Sequence, residues 1–218
     1  MRTMSRRQIL LTGFGPFPGV IDNPSARLVE ALADDDQLEN LEITAKVLPT
    51  EWSAVERLIP DLLQSLQPHV TIHFGVSRQA RSIRIERSAY NRIVPRIDAA
   101  GVLPLRRAIH TNGPARLDST VSSSRLAWTL RDHGLPANSS VHAGTYLCNF
   151  LYYHSLAWAR GRANAPRVLF VHVPLARSQG GSLDERELLR AAKIILDFAL
   201  TPAEVTPLSE SLLAASGT

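Results

Sequence analysis

The chain holds one cysteine, Cys148, set in Val141-His142-Ala143-Gly144-Thr145-Tyr146-Leu147-Cys148-Asn149-Phe150. The stretch before Gly144 ends a predicted strand, and a long run with helical periodicity follows. A cysteine in the first turns of such a helix lies near the positive end of the helix dipole, which favours thiolate over thiol. Elsewhere a lone cysteine is by default a small buried hydrophobe. A cysteine nucleophile needs an imidazole to take its proton and a carboxylate to orient that imidazole. Both types stand at or near the ends of predicted apolar strands, as His73, His142, His172 and Glu86. The residues alone do not choose among these histidines. The same set admits a rival chemistry, a zinc ion held by the histidines and Glu86, but no local His-x-x-x-His pair supports it. The loop Gly13-Phe14-Gly15-Pro16-Phe17 has the glycines of a phosphate cradle. It lacks a Walker lysine and the dinucleotide spacing, and its phenylalanines suit an apolar ligand better.

These groups need a frame. Gln8 to Thr12, Ile43 to Leu48, Val70 to Phe74 and Arg167 to Val173 read as buried strands. Ser82 to Ala89 alternates Ile83 and Ile85 with Arg84 and Glu86, which predicts a strand with one exposed face. Ser139 to Ala143 reads as a further strand. Helices are predicted after Asn23-Pro24-Ser25, with Asn23 as cap, and over 51–66, bent or interrupted at Pro60. Further helices are predicted over 122–132, 146–159 and 183–200, and 91–118 reads mostly as loop. The alternation predicts an α/β chain whose largely parallel sheet is covered on both faces. Functional groups then gather beyond the carboxyl ends of the strands.

Composition narrows the classes. A chain of 218 residues is expected to form one domain over 1–218, with loose termini at 1–7 and 203–218. A single cysteine excludes an internal disulfide and suits a reducing cytoplasm. Ile9-Leu10-Leu11 is too short for a signal-peptide core, and no apolar run approaches the ~20 residues of a membrane span. The net charge of +4 raises the question of nucleic acid, with Arg78, Arg81, Arg84 and Arg87 spaced by three. No stacking motif or nucleic-acid module accompanies them, so a nucleic-acid partner is not expected.

Four ordered blocks carry a resemblance. They are Leu11-Thr12-Gly13-Phe14-Gly15-Pro16-Phe17 with Asn23-Pro24-Ser25, Glu86-Arg87 with Ala89 and Asn91, Ala143 to Asn149, and Phe170-Val171-His172-Val173-Pro174. In these the chain resembles the type I pyroglutamyl peptidases (pyrrolidone-carboxylate peptidases), cysteine peptidases that remove an N-terminal 5-oxoproline. The resemblance implies a triad of Glu86, Cys148 and His172. It also implies a lactam pocket built from Phe14, Phe17, Ile97, Tyr146 and Leu147, with Thr50 beside it. The main chain at Val76 would recognise the lactam amide, and Arg96 would lie near the oxyanion. The implied fold is a single-domain α/β/α sandwich with a mostly parallel central sheet, often a homotetramer, needing no metal or cofactor. The chain departs from the family at Phe17-Pro18-Gly19, after Ile97, and at Gly75-Val76-Ser77-Arg78-Gln79-Ala80-Arg81, which lacks the usual glycine pair and carries extra arginine. The alternative to a peptidase is a repurposed member of the fold that binds small cyclic or apolar ligands.

Overall fold

Gln8–Phe14 forms the first strand, β1, and its fully buried Ile9, Leu10 and Leu11 explain its place inside a sheet. In the computed structural model, which describes residues 7–163 and 166–201, helix α1 (Pro24–Ala33) follows. Asn23 caps it by accepting from the Ser25 N–H, and Pro24 opens its first turn. The chain continues through β2 (Glu42–Leu48), α2 (Trp52–Leu66), β3 (Val70–Val76), β4 (Ile83–Glu86), β5 (Ser88–Tyr90) and β6 (Arg116–Asp118). It ends with α3 (Ser123–Asp132), β7 (Ala137–Ser140), α4 (Leu147–Ala159), β8 (Arg167–Val173) and α5 (Glu185–Leu200). Asp184 and Glu187 form a reciprocal capping box, which starts α5 two residues later than the periodicity suggests. The expected loose termini lie outside the described residues except for Arg7.

Six strands form the central sheet in the order β2-β1-β3-β8-β4-β7. β2, β1, β3 and β8 are mutually parallel, while β4 runs antiparallel to β8 and parallel to β7. The sheet is thus mostly parallel with a reversed pair at one edge. Side chains alternate across it. Ile72, Phe74, Ile85, Leu169 and Val171 pack under α1, α3 and α5, while Leu10, Val168 and Phe170 pack under α2 and α4. Two apolar cores separated by a sheet make a three-layer α/β/α sandwich.

Several expectations are corrected. Ser82 to Ala89 is not one strand: it breaks at Arg87, and β5 leaves the main sheet to pair with β6. The face of β4 expected to be exposed is covered, with Glu86 fully buried. The strand expected over 139–143 is Ala137–Ser140, because its register follows the Ile83↔Ala137 pairing and the chain must turn away before Gly144. Helix α2 passes through Pro60 without a break. Pro60 faces solvent, so water can serve the carbonyl its ring leaves unbonded. The segment 91–118 does contain a short strand, β6.

Candidate active site

β8 places Phe170 and His172 on the α4 side of the sheet, and β4 reaches the same side from the opposite direction. The register Arg84↔His172 and Glu86↔Phe170 sets Glu86 one step deeper than His172 along β8. Glu86 therefore ends a strand that descends into the molecule, and its carboxylate approaches the imidazole from below. The His172 Nδ1 to Glu86 Oε1 distance is 2.7 Å. The Glu86 side chain is 1% exposed, and its Oε2 has no hydrogen-bond partner among the described residues. A buried carboxylate with one oxygen bare depends on its ion-pair partner for compensation.

Cys148 is the second residue of α4, and its side chain interacts with the His172 imidazole. Burial on its own would lower the imidazole pKa. The charge and hydrogen bonding of Cys148 and Glu86 outweigh it and raise His172 to about 9. His172 is then an imidazolium at neutral pH. Tyr146 precedes the helix in extended conformation and supplies no side-chain cap. The first backbone N–H groups of α4 are therefore left without a side-chain acceptor beside the thiol.

The other histidines go elsewhere. His73 is fully buried, with Nδ1 2.7 Å from Thr12 Oγ1 and Nε2 2.8 Å from Ser155 Oγ, and burial lowers its pKa to about 3. It is a neutral crosslink between β1, β3 and α4. His142 is exposed and its Nδ1 accepts from the Gly144 N–H at 3.0 Å. The imidazoles that a zinc site would need do not converge. Among the described residues, no group of three or more His, Cys, Asp and Glu side chains lies close enough to hold a metal ion.

Beside Cys148 opens a cavity of about 720 Å³. Phe14, Phe17, Thr50, Val76, Arg96, Ile97, Tyr146 and Leu147, the positions named from the sequence, all line it. Its aromatic wall is braced from behind, since the Trp52 ring meets Tyr146 edge-on at 5.1 Å and Phe150 at 5.4 Å. The first loop is equally tied. Phe14 N–H donates to Ser25 Oγ, while Thr50 Oγ1 and Asn23 Nδ2 both donate to the Gly15 carbonyl. The arginines spaced by three do not form one stripe: Arg78 lines this cavity, and Arg84 is half-buried and donates to Ser140 Oγ.

Two contributors were missed from the sequence. Gly75 faces His172 in the β3–β8 register. A Cβ there would lie 3.1 Å from Cys148 Sγ and 2.8 Å from the Phe170 ring. The signal in the sequence was only a glycine ending a strand. Gly75→Ala should push the thiol out of line and lower kcat by about 10- to 100-fold, the cost of a displacement near 1 Å. A smaller change in KM, measured alongside, would mark this as misalignment rather than lost binding.

Asp98 is the second. It is 4% exposed in a loop, and its Oδ2 accepts from the Trp52 N–H at 2.9 Å, capping α2 where Glu51 makes no side-chain cap bond. Its Oδ1 accepts from Ala100 and Val102, and the Ala99 N–H reaches the Thr50 carbonyl. Asp98 thus pins the segment carrying Arg96 and Ile97 to the head of α2. Asp98→Ala should destabilise the fold by about 1–3 kcal/mol, from the lost cap and orphaned N–H groups. Thermal melts and steady-state kinetics should show that loss together with a KM rise larger than the fall in kcat.

A three-layer α/β chain with a thiol, an imidazole and a carboxylate in sequence beside a closed-backed cavity has the makings of a thiol-dependent hydrolase. The chain belongs to the pyroglutamyl peptidase family, whose family model matches residues 7–187. It is 31% identical to a pyrrolidone-carboxylate peptidase of Thermococcus litoralis over 79% of each chain. It is 30% identical to pyroglutamyl-peptidase 1 of Mus musculus, covering 89% of this chain and 90% of that one. A solved structure of the Thermococcus litoralis pyrrolidone carboxyl peptidase superimposes with a TM-score of 0.82 at 28% identity, covering 89% of this chain and 93% of that one.

Proposed function

We propose that this chain hydrolyses the bond after an N-terminal pyroglutamyl residue, with Cys148 as nucleophile, His172 as acid and base, and Glu86 orienting and compensating the imidazolium. The observation that supports the reading is the His172–Glu86 contact at 2.7 Å, with Cys148 acting on the same imidazole and lining the aromatic-walled cavity. The Cys148 thiolate attacks the pyroglutamyl carbonyl carbon, and the carbonyl electrons move onto oxygen. The unoccupied N–H groups at the start of α4 stabilise that oxyanion, with Arg96 near it. His172 gives its proton to the departing amine, leaving a pyroglutamyl thioester. Water, deprotonated by His172, then attacks the thioester and releases pyroglutamate and the thiolate.

Specificity follows from the lining. The lactam ring is flat and uncharged and fits between Phe14, Phe17 and Tyr146. The lining contains Arg78 and Arg96 but no Asp or Glu. An ordinary amino terminus would bring an ammonium group among these cations without a carboxylate to meet it. Only a blocked, neutral terminus suits such a site.

The same reading takes the chain to be one peptidase domain that acts in the cytoplasm without a cofactor, as a homo-oligomer and by family likeness a homotetramer. Among the described residues no helix is long and apolar enough to cross a membrane. Trp128, 63% exposed on α3, is apolar surface that subunit contact would cover.

Comparing kcat/KM for pyroglutamyl, prolyl and glutamyl coumarin amides tests the assignment. Pyroglutamate should be preferred by about 10³-fold or more, since a site built around a lactam leaves polar groups unpaired with the other two. Efficient prolyl cleavage would overturn the specificity. Cleavage of none, with Cys148 still alkylated by iodoacetamide, would favour the repurposed binder.

A further inference from the structure

Arg78 lines the cavity, and the proposed chemistry leaves its charge unused. It lines the cavity on the side of the Phe17–Gly19 loop and is itself exposed to solvent, which places it at the rim rather than the floor. Like most of the described arginines, it forms no ion pair with any described residue. Its position is built. Gly19 has φ +86°, and a Cβ there would fall 2.8 Å from Arg78 Nη1 and 3.3 Å from Cζ, so the loop yields the space the guanidinium occupies. The second cation of the lining, Arg96, is engaged differently, with its Cζ 5.1 Å from the Tyr146 ring centroid. The pyroglutamyl ring is neutral and gives Arg78 no partner. What remains of the substrate is the peptide that leaves.

We infer that Arg78 reads the residue following pyroglutamate and favours an acidic side chain there over a basic one. This rests on the peptidase reading above and adds a substrate class to it, pyroglutamyl peptides with an acidic second residue. A carboxylate at the rim meets a guanidinium with no competing acid in the lining. An ammonium at the same place meets the field of two cations. The contact is solvent-exposed, so the preference is modest and sensitive to salt.

Calorimetric binding of pyroglutamyl-glutamyl, -alanyl and -lysyl amides to the Cys148→Ala protein tests this without turnover. The glutamyl amide should bind about tenfold more tightly than the lysyl amide at low salt, the sum of one weak attraction and one weak repulsion. The gap should narrow in about 0.5 M NaCl, where screening acts over a few ångströms. On the same background Arg78→Gln should bring the two together, and Arg78→Glu should reverse their order. Pyroglutamyl-alanine with a free carboxylate, compared with its amide, separates a side-chain acid from a chain terminus. Equal binding of the glutamyl and lysyl amides, or an unchanged order in both Arg78 variants, would overturn the inference. Hydrolysis of the alanyl amide by the wild-type protein reports separately on the peptidase reading.

Discussion

Cys148→Ser protein is expected to fold normally and to lose pyroglutamyl hydrolysis by on the order of 10⁴-fold or more. A hydroxyl in place of the thiol keeps the size of the side chain and its hydrogen bonding toward His172. It is a far poorer nucleophile, because a serine hydroxyl gives up its proton much less readily than a thiol and oxygen is the less polarizable atom. Groups that act as one unit lose most of their effect when any one is removed. Circular dichroism and melting temperature should be little changed, which separates a chemical loss from misfolding. Iodoacetamide should inactivate the wild type by alkylating Cys148, and a chelator should not. Activity lost to EDTA and restored by zinc would return the histidines and Glu86 to the metal reading.

The second large effect separates the histidines. His172→Ala should lower kcat by several orders of magnitude, roughly 10³–10⁴-fold, since both the proton acceptor and the acid for the leaving amine are gone. His142→Ala should change little, because that ring is exposed and accepts one backbone N–H. His73→Ala should chiefly cost stability, about 1–3 kcal/mol, by leaving a void and taking from the Thr12 hydroxyl its imidazole partner, while the Ser155 hydroxyl keeps only the Leu151 carbonyl. The pH profile sharpens the assignment. The raised His172 pKa keeps the imidazolium present up to about 9, so kcat/KM should fall on the alkaline side near that value. Glu86→Gln removes a group that raises this pKa, so the alkaline limb should move to lower pH. The sign for stability is the same: the pair contributes fully below the ordinary histidine value of 6.5 and is lost as pH rises through about 9. A dead His142→Ala protein beside a nearly normal His172→Ala would show that the imidazole had been misassigned.

Much of the frame was legible because the buried strands carry continuous apolar runs, as in Ile9-Leu10-Leu11 and Val168 to Val171, and because Asn23-Pro24 and Ser122 are strong helix openers. What could not be read was strand direction. Nothing in Ile83 to Glu86 says that it pairs antiparallel with β8, and that reversal puts Glu86 in the core rather than on a solvated face. Elements defined by long-range pairing, such as β5 with β6, leave too little local pattern to detect. The histidines illustrate the limit at the site. His73, His142 and His172 stand in similar local sequence, and the three-dimensional partners alone distinguish a structural crosslink, a surface turn and a member of the site. The cavity positions came from matching residue blocks to a family, and all of them line one opening. Asp98 and Gly75 escaped notice because their work depends on what they face: a distant helix start for one, a sulfur atom for the other.

The central claim is that Cys148 itself carries the pyroglutamyl group during turnover. Acid-quenching the wild-type enzyme in the steady state with a pyroglutamyl coumarin amide, then mapping its peptides by mass spectrometry, examines this directly. The account predicts a pyroglutamyl thioester on the peptide containing Cys148, absent from Cys148→Ser and from enzyme quenched after the substrate is exhausted. Steady release of coumarin with Cys148 unmodified, and no dependence of that release on the thiol, would contradict it.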